Sequence, residues 1–165
     1  MSRRDEIAEA ARALVEAEGA PALTMRTVAD RVGIRAPSLY KHFPSKRALE
    51  AAVVADALEE AAEALEAGAQ APDPLAGVAR AYREFALAHP HLYRLMNDGP
   101  LPRDLLPEGL EERAAAPVVA ATRTRDLARA AFAFAHGMVS LEIAGRFPPD
   151  ADLDAAWAAG IEGFR

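Results

Sequence analysis

The chain places apolar residues three and four positions apart along its length, and it interrupts that rhythm at residues that end helices. Ile7, Ala10, Ala11, Leu14 and Val15 run to Gly19; Val28, Ala29 and Val32 run to Gly33; Leu39 and Phe43 run to Pro44; Leu49, Val53, Leu58, Ala61 and Leu65 run to Gly68. Such spacing gathers apolar side chains on one side of a helix, and a Gly or Pro just past the last of them stops it. No stretch shows the period of two that a half-buried strand requires. The expected fold class is all-α: a three-helix N-terminal head, joined by a long helix to an antiparallel helical-bundle body.

Start signals agree with the stops. Ser2 is a cap with Asp5 and Glu6 in the turn that follows, Thr24 caps a second helix barely two turns long, and Pro37 fits only the first turn of a third, expected over 36–43. Ser45 caps the long fourth helix. Residues 69–74 read as a linker, after which Asp73 and Pro74 start a helix with Leu75, Val78, Tyr82, Phe85 and Ala86 on its buried side. Pro90 starts a short helix through Met96. Residues 97–107, with Gly99, Pro100, Pro102 and Pro107, read as an irregular loop; helix resumes by Pro117, continues over 125–147, and ends with one capped by Asp152.

A chain of 165 residues without cysteine has no disulfide, no thiolate metal site and no cysteine nucleophile. His89-Pro90-His91 lacks the i, i+4 spacing of helical metal ligands, and no nucleophile and base pair, phosphate loop or metal cluster stands out, so neither a metal nor a cofactor is expected and an enzyme is disfavoured. There is no apolar run of about 18 residues and no secretory h-region, which points to a cytoplasmic protein with no membrane partner. The net charge is −6, but residues 20–50 hold six basic against two acidic side chains, while 51–165 hold ten against eighteen. A basic patch on an acidic body suits a protein that meets phosphate with one face.

Two short helices around a Gly-containing turn, 24–32 and 36–43, behind a supporting helix, form the helix-turn-helix arrangement that puts its second helix in a major groove. The run Leu23-Thr24-Met25-Arg26-Thr27-Val28-Ala29-Asp30-Arg31-Val32-Gly33-Ile34-Arg35-Ala36-Pro37-Ser38-Leu39-Tyr40-Lys41-His42-Phe43-Pro44-Ser45-Lys46-Arg47-Ala48-Leu49 resembles the DNA-binding signature of the TetR family of regulators. The resemblance implies base-edge contacts from Ala36, Pro37 and Ser38, backbone contacts from Tyr40 and His42, phosphate contact from Lys46, and further contacts from Thr24 and Arg26 at the second helix. Lys46 also stands in a first turn whose free N–H groups attract phosphate. Lys41 points outward. Ala36 and Ser38 are too small for bidentate base reading, which leaves Arg26 and Arg35 as stronger discriminators. Tyr40 also reads as a half-buried core aromatic, and His42 as a cap of its own helix.

In 125–147, Leu127, Ala131, Phe134, Met138, Leu141 and Gly145 keep alternating 4–3 spacing, and Phe132, Ala135, Val139 and Ile143 form a second stripe. A helix apolar on two faces is buried on two. Leu153, Trp157, Gly160 and Phe164 repeat the 4–3 spacing in the last helix, so Leu127, Ala131, Phe134, Met138, Leu141, Leu153, Trp157 and Phe164 are the expected seam of a homodimeric four-helix interface. The segment 133–147 resembles the C-terminal regulatory domain of the TetR subfamily named for a Trp-His-Gly signature, with Ala135 in place of the Trp. That resemblance implies a dimerising body that binds a small apolar effector, with Tyr82, Phe85, Tyr93, Phe132 and His136 as candidate pocket residues; His136 reads equally as a satisfied core histidine.

The expected division is therefore a helix-turn-helix DNA-binding domain over 1–48 and an effector-binding and dimerisation domain over 49–165. The expected function is a repressor that a small apolar molecule releases from a palindromic double-stranded DNA operator. A constitutive or architectural DNA-binding protein is the alternative, with an all-helical enzyme behind it.

Overall fold

The computed structural model describes residues 2–165, and among these every regular element is helical. Nine α-helices follow in order: α1 Arg3–Glu18, α2 Met25–Arg31, α3 Ala36–Leu39, α4 Lys46–Gly68, α5 Pro74–Ala88, α6 Pro90–Asn97, α7 Leu110–Ala121, α8 Arg125–Ile143 and α9 Leu153–Glu162. Single 3-10 turns at Ala20–Ala22 and Arg103–Leu105 complete the set. None of these helices is long and apolar enough to cross a membrane.

The capping chemistry is local and explicit. The Ser2 hydroxyl accepts from the Asp5 N–H while the Asp5 carboxylate accepts from the Ser2 N–H, and Thr24 and Thr27 make the same reciprocal pair at α2. Ser45 accepts from the Ala48 N–H at α4, Asp73 from Ala76 at α5, Thr124 from Leu127 at α8 and Asp152 from Ala155 at α9. The linker expected at 69–74 is a tight turn of five residues between α4 and α5.

Two differences from the sequence expectation have physical causes. Helix α3 is one turn long, because after Leu39 the chain tightens into i to i−3 bonds, Lys41 N–H to Ser38 O and His42 N–H to Leu39 O. Helix α8 stops at Ile143 instead of 147, where Gly145 takes a left-handed φ of 60° and the Arg146 N–H reaches back to the Leu141 carbonyl. Helix α7, expected to be under way by Pro117, starts at Leu110 and carries Pro117 in its interior.

The residues form two compact units, 2–58 with 89–110, and 59–88 with 111–165. In the first, α1 packs on α2 and α6, and α2 on α3. Its core is large and closed: Ile7, Val15, Leu23, Val28, Leu39, Phe43, Leu49, Val53 and Leu92 are fully buried. In the second, α5 packs on α8 and α9, and α8 on α9, around smaller side chains that include Ala79, Ala86, Ala128, Ala131, Ala135 and Val139.

Candidate nucleic-acid interface

The geometry of the head starts with the turn between α2 and α3. Gly33 adopts φ 68°, which a side chain would strain, and the Ile34 N–H closes the turn on the Ala29 carbonyl. The chain then enters α3 with Pro37 in the first turn. Leu39 and Phe43 are sunk in the core, which fixes what the other residues present. Pro37 and Lys41 are exposed, Ser38 and His42 are half-buried, and Tyr40 is 51% exposed. Tyr40 therefore lies outside the core that the alternative reading gave it. Ala36 is half-buried and packs against the core.

Charge gathers on the same segment. Arg31, Arg35 and Lys41 are exposed and make no ion pair among the described residues. Arg26 stands 3.9 Å from Asp30 with most of its side chain in solvent. Lys46 lies 3.2 Å from Glu50 one turn along α4. Thr24 is exposed, but its hydroxyl is engaged in the cap, as is its N–H.

Two arginines outside the expected set hold this surface in place. The Arg3 guanidinium donates to the Val32 carbonyl at 3.1 Å, at the end of α2. Arg4 donates to the His42 carbonyl at 2.6 Å and lies over the Phe43 ring, 4.1 Å from its centroid. The supporting helix thus clamps the C-terminal cap of α2 and the turn that follows α3. A third missed contact is Arg47, whose guanidinium meets Asp104 at 2.8 and 2.5 Å and holds that carboxyl below the usual carboxylate range.

In the second unit, three of the five expected pocket residues form an aromatic ladder. The Tyr82 ring meets Phe132 edge-on at 5.9 Å, and Phe132 stacks on His136 at 6.2 Å, leaving Phe132 49% exposed. Phe85 is buried on α5, and Tyr93 is a buried residue of α6 in the first unit.

Of the expected seam, Ala131 and Trp157 are buried, and Phe134 lies 5.6 Å from Trp157 and 5.7 Å from Phe164. Gly160 makes this possible, since a Cβ there would fall 2.0 Å from the Phe134 ring. Phe134, Trp157, Gly160 and Phe164 thus join α8 to α9 and the turn after it within one chain. Leu127, Met138 and Leu153 are half-buried and Leu141 is exposed. Along α8 and its cap, Ala130, Ala133, Leu141 and Ala144 are exposed with Gly137 half-buried between them, again at 3 and 4 spacing. An ion network supports this corner: Arg83 forks onto Glu142, reaches Asp154 at 2.5 Å, and Glu142 also accepts from the Trp157 indole N–H at 3.2 Å.

The comparisons with known proteins bear on this architecture directly. Residues 75–164 match the Tetracyclin repressor-like C-terminal domain, more than half of the chain, and residues 7–53 match the bacterial regulatory proteins of the tetR family. The chain belongs to the TetR family. It is 34% identical over 179 residues to the uncharacterized HTH-type transcriptional regulator Rv0681 of Mycobacterium tuberculosis, an alignment that spans 96% of this chain and 81% of that one. Over 58 residues it is 41% identical to the HTH-type transcriptional repressor KstR2 of Mycolicibacterium smegmatis, 35% of this chain and 28% of the other. A protein of unknown function from Rhodococcus sp. RHA1 superposes with a TM-score of 0.77 at 26% identity over 99% of this chain and 93% of its own. The fold is shared with the multidrug binding protein EbrR, solved with imidazole, at a TM-score of 0.75 and 24% identity over 100% and 96% of the two chains. As a TetR-family protein the chain is a DNA-binding transcription regulator and not an enzyme. Proteins of the family bind DNA operators and act as dimers with small-molecule ligands.

Proposed function

We propose that this TetR-family chain is a homodimeric, cytoplasmic repressor that binds a near-palindromic operator and leaves it when a small apolar effector occupies the body. The observation that carries the DNA contacts is the outward set around α3: Tyr40 half in solvent beside exposed Lys41 and Arg35, neither of which makes an ion pair among the described residues. Residues 1–48 are the reading domain. Pro37 and Ser38 touch base edges, with Ala36 a lesser contact because it leans on the core; Arg26 and Arg35 discriminate bases; Tyr40, Lys41, His42 and Lys46 hold backbone, and Thr24 contributes through the start of α2.

Residues 49–165 dimerise and bind effector. Gly137 supports the dimer reading: a Cβ there would meet nothing within 4 Å, so no neighbour in the chain accounts for a glycine in mid-helix, a choice that costs about 1 kcal/mol relative to Ala. A second copy packed closely on the 130–144 face gives it a reason, with Leu141 exposed beside it. The exposed Phe132 on the Tyr82 and His136 ladder supports an effector surface there.

The test is selection from a random duplex pool with the wild type and with a Tyr40→Ala, Lys46→Ala double variant. An inverted repeat enriched by the first and lost by the second is the expected result. Equal enrichment by both would place the DNA contacts elsewhere.

A further inference from the structure

Helix α4 opens on two cations, Lys46 and Arg47, with no acidic residue in its first turn. The positive end of a helix dipole is a poor place for either if stability alone is served. Within the chain each has found an anion. Lys46 pairs with Glu50 on its own helix, whereas Arg47 pairs with Asp104, 57 positions away. That second pair is a two-point fork, Nη1 to Oδ2 at 2.8 Å and Nη2 to Oδ1 at 2.5 Å. A planar guanidinium grips a DNA phosphate through the same two parallel N–H donors.

Asp104 is well placed to hold this position. It sits in the 3-10 turn Arg103–Leu105, closed by the Leu105 N–H on the Pro102 carbonyl, in a loop whose prolines limit its freedom. Both partners are more than half exposed, so solvent and other anions reach the pair, and exposed pairs of this kind add little to folding.

We propose that Arg47 is a latent DNA-phosphate contact that Asp104 holds off the DNA, its carboxylate standing where a phosphate would bind. The proposal rests on the DNA-binding role given above to the start of α4. By linkage, whatever draws the 103–105 turn away from α4 strengthens DNA binding, and a phosphate that captures Arg47 frees the turn.

The test is a charge cycle on the full-length protein: wild type, Asp104→Asn, Arg47→Ala and the double variant, each titrated with the duplex that the wild type enriches from a random pool, across a salt series. Circular dichroism checks that all four are folded. Each new phosphate contact steepens the dependence of log K on log salt by about 0.9, so Asp104→Asn steepens it by about 1.8 for a dimer with two heads. Arg47→Ala alone leaves the wild-type slope unchanged, and the double variant returns to it. A gain that survives in the double variant is a general charge effect and overturns the proposal. So does an unchanged slope in Asp104→Asn, or a wild-type slope that flattens with Arg47→Ala, which would put Arg47 on the DNA already. A wild type that binds no duplex at all would instead remove the DNA-binding role of α4, a different failure.

Discussion

The two units bury their hydrophobic side chains in opposite ways. Of the ten largest fully buried side chains among the described residues, nine belong to the first unit and only Val139 to the second. The second unit keeps its bulk nearer the surface: Phe132, Leu141, Val119 and Leu87 are all exposed there, while alanines fill much of its interior. The head closes its core around Leu39 and Phe43 and leaves Tyr40 and Lys41 at the surface. The body has apolar surface left over, which is what a domain that must take a second copy and a small ligand would retain.

This contrast predicts unequal costs for equal deletions. Phe43→Ala removes a fully buried ring that Arg4 also covers, and should destabilise the protein by about 3–5 kcal/mol in a denaturant titration, abolishing DNA binding with it. Phe132→Ala, the same change at an exposed site, should cost less than about 1 kcal/mol. If the two costs are alike, the body is as closed as the head and the comparison breaks.

Between these extremes lies Glu142→Ala. The Glu142 side chain is only 6% exposed and anchors Arg83 and Trp157, so its loss strips one unit of its buried polar anchor; Arg83 keeps Asp154, which limits the expected cost to about 2 kcal/mol. Chemical denaturation of the variant measures it, and Trp157 fluorescence should shift with the lost indole hydrogen bond.

The smallest effect is on acid stability. Hydrogen bonds from Arg113, Arg165 and Arg47 hold the carboxyls of Glu66, Asp73 and Asp104 below their ordinary values of 4.5, 3.8 and 3.8. A depressed carboxyl gives its stabilisation in full above the ordinary value and loses it as pH falls through the lowered one. Stability should therefore be flat in this respect above about pH 5 and decline below pH 4, only slightly, because all three groups are at the surface. A thermal midpoint that rises on acidification would contradict those pairs.

Much of the head was legible because its determinants are local. Thr24 as a cap, Gly33 as a left-handed turn and Pro37 in a first turn are each decided by a few neighbouring residues. The clamps from Arg3 and Arg4 were not legible, since they end on backbone carbonyls 29 and 38 positions away, and a carbonyl leaves no mark in sequence. Leu92 joining the head core from α6 is a similar long-range fact. In the body the difficulty was alanine. Its side chain is small enough for either side of a helix, so the 3 and 4 spacing of α8 fits several stripes at once. The seam read through Phe134 and Trp157 turned out to include the residues that join α8 to α9, while the open stripe through Gly137 carried only small residues and Leu141.

The central claim is that the body completes itself with a second copy through the open face of α8, and the direct test is the mass in solution of the wild type and of Gly137→Arg by sedimentation equilibrium. The account predicts twice 17.6 kDa for the wild type, and a folded, fully helical 17.6 kDa species for the variant, because the space around Gly137 admits a side chain in one chain but not between two. A wild type that stays at the single-chain mass while binding its duplex, or a Gly137→Arg variant that remains dimeric, would contradict it.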